Sequence, residues 1–153
     1  MDVGKVLSET AERIPHKTAV IFKDEEITFA QLDLMATRLA NKLKTFNVGR
    51  GDPVAIVLPN SSPWVISYFA VMRLGAIAVP LDFRFKGEEL ISILTDASVR
   101  VVITSDLYPD AAVFSRVDSI SNVIITGEKG TESFTSYEDV IKNESLSSEV
   151  SVA

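Results

Sequence analysis

Residues 72–85 read MRLGAIAVPLDFRF, and the order of residue types along them decides the fold class. Leu74 closes an apolar helical stripe, and Gly75 supplies a residue suited to a left-handed helix C-cap. Ala76 to Val79 is too short and too apolar for anything but a buried strand, and Pro80 stops the ladder. The strand then opens into a loop carrying Asp82, Phe83 and Arg84. In an open α/β sheet, ligands lie in the crevice beyond the carboxyl ends of the strands, so residues 81–85 are the first candidate site.

Upstream of this stretch, Ser62 offers an N-cap with Pro63 at the first helical position, and Trp64, Val65, Tyr68, Phe69, Met72 and Arg73 carry a helix to Gly75. Residues 53–58, PVAIVL, form the continuous β-branched run of a parallel strand covered on both faces. Further back, Thr28 and Gln31 have the spacing of a capping box, flanked by the hydrophobic staple pair Ile27 and Leu32. The helix they start carries Leu32, Met35, Ala36, Leu39, Ala40, Leu43 and Phe46 as one apolar stripe and is expected to end near Gly49. Residues 18–22 (TAVIF) and 25–29 (EEITF) flank Lys23 and Asp24 as a hairpin, and residues 2–13 form a short amphipathic helix.

Downstream, Glu88 and Glu89 suit the first turn of a helix whose buried face is Leu90, Ile91 and Leu94. A strand at 99–103, a short helix at 109–116, a strand at 122–126 and a helix at 136–142 follow. Alternation of helix and strand implies right-handed crossovers and a parallel sheet. The fold class is α/β, a largely parallel sheet flanked by helices. One domain is expected over 1–145, comprising the hairpin at 18–29, αβ units over 30–105 and a weaker acidic segment over 106–145. Residues 143–153 read as polar and frayed, with the tail proper at 146–153.

Composition narrows the function. The chain is 46% hydrophobic and 24% charged over 153 residues, values of an ordinary globular domain with a real core. No run approaches the ~20 apolar residues of a membrane span, and the N-terminus lacks a signal peptide's apolar stretch, so a cytoplasmic protein is expected. The absence of cysteine excludes disulfides and thiolate chemistry. Net charge is −6, yet residues 1–105 hold 12 basic and 12 acidic side chains, while residues 106–153 hold 3 and 9. No basic stripe exists for a nucleic-acid backbone.

Neither G-x-x-x-x-G-K-[ST] nor G-x-G-x-x-G occurs, and Gly127 to Thr131 reads as a turn in which Glu128 would repel phosphate. His16 is a lone imidazole read as ordinary surface. Ser61 and Ser62 open a helix after a strand, where capping and anion binding explain them equally well. No catalytic, ATP-binding or metal-ligating residue is assigned. Asp82, Phe83 and Arg84 have two readings: a salt bridge with an aromatic packed under the next helix, or a ligand-facing trio.

Residues 18–105 resemble the N-terminal portion of the acyl-adenylate-forming (AMP-binding) enzymes, the superfamily of acyl-CoA synthetases and fatty acid–CoA ligases, firefly luciferase and peptide-synthetase adenylation domains. Three segments carry the resemblance: ITFAQL (27–32), GDPVAIVLPNS (51–61) and MRLGAIAVPLD (72–82). The first and third are similar to the family's core motifs L-T-Y-x-E-L and L-K-A-G-A-x-Y-V-P-L-D.

The resemblance implies the N-terminal subdomain of an ATP-dependent acid–CoA ligase. Such an enzyme converts a carboxylic acid, fatty or related, and ATP to an acyl-adenylate, then transfers the acyl group to coenzyme A. The complete enzyme would need ATP, Mg2+ and coenzyme A. None is expected to bind these residues stably, because the family's phosphate loop and catalytic lysine fall beyond residue 153. Losing one charge clamp in phosphoryl chemistry costs ~10³–10⁵ in rate, so the chain alone is expected to be inactive.

The resemblance also places the loop after the second core motif near the coenzyme A nucleotide. By position Arg84 would meet a phosphate and Phe83 the adenine, with Asp82 beside them. Two other readings stand beside this one. A stand-alone interaction or regulatory module would retain the fold without activity, and a flavodoxin-like nucleotide binder is disfavoured by the lack of a glycine-rich first turn. Self-association through a face left open by a missing lobe is a further expectation.

Overall fold

A computed structural model describes residues 2–127 and 133–150. Helix α1 (Val3–Arg13) is capped by the Asp2 carboxylate, which accepts the Gly4 and Lys5 N–H groups. It leads to an antiparallel hairpin, β1 (Thr18–Phe22) and β2 (Glu25–Thr28). Thr28 and Gln31 then close the expected capping box, worth typically about 1 kcal/mol, and start α2 (Phe29–Thr45). Strand β3 (Pro53–Val57), α3 (Ser62–Arg73), β4 (Ile77–Pro80), α4 (Gly87–Asp96) and β5 (Val101–Ser105) follow in strict alternation. A 3₁₀ turn (Ala111–Arg116), β6 (Asn122–Thr126), β7 (Thr135–Ser136), α5 (Tyr137–Lys142) and a last 3₁₀ turn (Glu144–Leu146) complete the described chain.

Five strands form one parallel sheet in the order β4-β3-β5-β6-β7. Numbered from β3, that order is 2-1-3-4-5, a doubly wound arrangement whose loops diverge beyond β3 and β5. The alternation of side chains along β3 and β5 builds two cores. Val54, Ile56, Val101 and Ile103 face Leu39, Leu43, Ile66 and Ala70 of α2 and α3, whereas Ala55, Val57 and Val102 face Leu90, Leu94, Phe114 and Val117. Burial of both faces explains the unbroken apolar run that marks β3 in the sequence.

Several expectations shift. β4 is not buried: it is the edge of the sheet, and Ile77 is 51% exposed. Pro80 belongs to the strand, in register with Ile56, because an edge position tolerates the missing N–H. Ser61, not Ser62, caps α3, its hydroxyl accepting the Trp64 N–H at 3.4 Å. α2 ends at Thr45, four residues before Gly49, where Asn47 takes the left-handed turn at φ +64°. Gly75 does hold its expected left-handed conformation, φ +67°, with the Arg50 side chain lying over it. β5 begins at Val101, after Ser98 turns at φ +52°.

Residues 143–150 are docked on α2 and not frayed. Arg38 donates to Ser147 Oγ (3.0 Å) and to the Ile141 carbonyl (2.7 Å), and Asn41 donates to the Leu146 and Ser148 carbonyls. Residues 128–131 of the Gly127–Thr131 turn lie outside the described residues, as do 151–153. Among the described residues no helix is long and apolar enough to cross a membrane.

Candidate functional site

The loop after β4 carries a strict alternation. Leu81, Phe83 and Phe85 turn inward and pack against the α4 core, while Asp82, Arg84 and Lys86 are exposed. The structure therefore brings Asp82 and Arg84 together and separates Phe83 from them. Asp82 Oδ1 accepts the Arg84 backbone N–H (2.8 Å) and Nε–H (3.1 Å), and Oδ2 accepts Nη2–H (2.7 Å). The guanidinium's hydrogen bonds, then its backbone N–H, hold the Asp82 carboxyl at about 2, and the carboxylate in turn raises Arg84. The Arg84 side chain nonetheless remains 89% exposed.

Phe83 meets Tyr108 edge-on, with ring centroids 5.5 Å apart. Tyr108 is buried in the connection after β5, packs on Phe114, and donates its hydroxyl to the Phe85 carbonyl at 2.5 Å. Burial, with a smaller contribution from Asp110, raises the pKa of its phenol. The sequence reading passed over Lys86 and Tyr108. The period-two pattern Leu81-Asp82-Phe83-Arg84-Phe85-Lys86 is the signal that finds the lysine; nothing local announces the tyrosine.

At the neighbouring strand end, Ser62 donates to the Glu25 carboxylate, so the hairpin itself supplies an anion beside the start of α3. Tyr137 is buried nearby with its hydroxyl unpartnered; desolvation, then Glu138 and Glu25, push its pKa upward. His16 is exposed, as expected of surface. Among the described residues no group of three or more histidine, cysteine or acidic side chains gathers to hold a metal.

A cleft of about 980 Å³ opens at the opposite end of the sheet, beside Lys5, Glu9, Glu12, Arg50, Arg73 and Glu149. One of its two guanidinium groups is already committed: Arg73 is buried and bonds Asp33, Thr37 and Ser8. At the carboxyl end, exposed Arg84 and Lys86 suit an anionic group and Asp82 is their internal counter-charge.

Comparison with known proteins identifies the family and the fold. The AMP-binding enzyme family matches residues 7–152. The long-chain-fatty-acid–CoA ligase of Bacillus subtilis (strain 168) is 36% identical over 125 residues, 81% of this chain and 22% of that protein. Surfactin synthase subunit 2 of the same organism is 36% identical over 112 residues, 73% of this chain and 3% of the synthase. Among solved structures, the anthranilate CoA ligase AuaEII in complex with anthranoyl-AMP superposes with a TM-score of 0.85 at 29% identity, over 93% of this chain and 28% of that one. The chain thus spans about a fifth to a third of the ligases it matches.

Proposed function

Because this chain belongs to the AMP-binding enzyme family, we propose that it is the N-terminal part of an ATP-dependent acid–CoA ligase acting on a fatty or related acid. The reaction joins a carboxylic acid to AMP with release of pyrophosphate, then passes the acyl group to the coenzyme A thiol with release of AMP. Coenzyme A is preferred over a carrier-protein thiol because the CoA-ligase relative covers more of the chain than the peptide synthetase does.

One observation carries the reading: the MRLGAIAVPLDFRF stretch folds as a helix end, an edge strand and a loop presenting Arg84 outward at the carboxyl end of the sheet. Arg84 would meet a coenzyme A phosphate, with Lys86 adding charge, and Asp82 would hold the guanidinium until the phosphate arrives. Phe83 would offer the adenine only the part of its ring that Tyr108 leaves exposed.

Acid-dependent ATP–pyrophosphate exchange tests the ligase assignment. The polypeptide of the complete reading frame should exchange with at least one of a broad acid panel, and residues 1–153 alone should remain at background. Silence of the complete protein across the panel would remove the assignment and leave a binding module that keeps the fold.

A further inference from the structure

Residues 82–85 make almost all their hydrogen bonds among themselves. Phe85 N–H goes to the Asp82 carbonyl, and the Asp82 carboxylate takes the Arg84 backbone and side chain. The bond that leaves this group is the one from the Tyr108 hydroxyl to the Phe85 carbonyl. It reaches across 23 residues of sequence, from the connection after β5 to the connection after β4. The ring under that hydroxyl is held from two sides, by Phe83 at 5.5 Å and Phe114 at 5.7 Å. Tyr108 is also fixed along its backbone, its N–H donating to Ser105 at the end of β5.

The consequence is mechanical. β4 is a four-residue edge strand, so the loop leaving it has a sheet neighbour on one side only. Side-chain packing of Phe83 and Phe85 keeps the loop down on the core but leaves its slide along the surface weakly determined, because apolar contact is not directional. A hydrogen bond from a phenol rooted in a neighbouring strand end supplies the direction.

We propose that Tyr108 is the positioning residue of the 82–86 loop: its hydroxyl fixes the Phe85 carbonyl and thereby sets where Arg84 and Lys86 are presented to an anionic ligand. The ligand part of this inference rests on the coenzyme A reading of the loop; the fixing of the loop does not.

Tyr108→Phe keeps the ring and removes only the donor, so it separates the two parts. In the 153-residue chain, amide hydrogen exchange at Arg84 and Phe85 should speed up about 5- to 10-fold, the loss of one hydrogen bond. Amides of β5 and α4 should speed up by no more than that factor, and the thermal midpoint should fall by no more than a few degrees. Titration of the polypeptide of the complete reading frame with coenzyme A should show a dissociation constant weakened by a similar factor.

Unchanged exchange at Arg84 and Phe85 would overturn the proposal outright. Faster exchange with an unchanged dissociation constant would reduce Tyr108 to a packing residue and overturn its positioning role. If the polypeptide of the complete reading frame and its Arg84→Ala variant bind coenzyme A with the same dissociation constant, the coenzyme A reading fails, and the exchange arm still decides whether Tyr108 fixes the loop.

Discussion

Arg73–Asp33 and Arg84–Asp82 are the same two side chains placed in two environments. The Arg73 side chain is 6% exposed and that of Arg84 is 89% exposed. Around Arg73 the protein has arranged further acceptors: the Asp33 carbonyl, the Thr37 hydroxyl and the Ser8 hydroxyl, which together tie α1, α2 and α3. Around Arg84 it has arranged only Asp82, two residues back in the same loop. A desolvated guanidinium needs several acceptors or it costs several kcal/mol; Arg73 finds them at Nη1 and Nη2, while its buried Nε has no partner, so the first pair is architecture. A solvated pair contributes little to stability, so the second can exchange its carboxylate for another anion at little cost.

The largest effect that tests this contrast is on stability at the buried pair. Arg73→Met should lower the unfolding free energy in urea by about 3 kcal/mol, toward the low end for breaking a buried pair because Asp33 keeps some contact with solvent. A loss below about 1 kcal/mol would mean that the three-helix tie is dispensable and the contrast false.

Gly4→Ala attacks the same tie from α1. A Cβ there would lie 2.8 Å from the Arg73 Cα, a backbone atom that cannot rotate away, so α1 and α3 must separate. The expected cost is about 1–3 kcal/mol by the same urea assay. Native stability in this variant would show that α1 adjusts freely over α3.

At the exposed pair the effects move from stability to binding. Arg84→Ala should leave the urea midpoint of unfolding unchanged. It should weaken coenzyme A binding about tenfold, the value of one charge-assisted hydrogen bond. Asp82→Asn should act in the opposite direction. Its side-chain oxygen still accepts the Arg84 backbone N–H, but the guanidinium loses its charged competitor, so affinity should rise about two- to fivefold. Loss of affinity in Asp82→Asn would show that the carboxylate serves the ligand directly and does not compete with it.

What the sequence made legible follows the range of the interactions. The Thr28–Gln31 capping box, the start and apolar stripe of the helix after it and the apolar runs of β3 and β6 depend on residues within a few positions of one another, and each lies where the pattern places it. The edge position of β4 was hidden, because exposure of Ile77 depends on strand order and not on Ala76 to Val79 themselves. The docking of residues 143–150 was hidden for the same reason: Arg38 finds Ser147 across 109 residues. At the site, Asp82 and Arg84 were legible as neighbours, and an Arg84 salt bridge with Phe83 packed under the next helix was one of two readings. Tyr108 was not legible, since its acceptor is a main-chain carbonyl and no side-chain pattern records it.

The smallest test is the most direct reading of the exposed pair. Asp82 titrates at about 2 because Arg84 donates to it, against an ordinary value of 3.8. A depressed carboxyl stabilises the loop's native arrangement above the ordinary carboxylate range, and that contribution is lost as pH falls through about 2. The Asp82 carboxyl carbon, followed by NMR, should therefore titrate near 2 in the wild type and return toward the ordinary range in Arg84→Ala. Coenzyme A or inorganic phosphate at saturating concentration should do the same if it draws Arg84 away, because the carboxylate would then lose its donor while gaining an anionic neighbour. Both changes raise its pKa, so the sign is fixed in advance. An Asp82 titration that stays near 2 with ligand bound would mean that the pair does not exchange, and Arg84–Asp82 would then be a second, smaller piece of architecture.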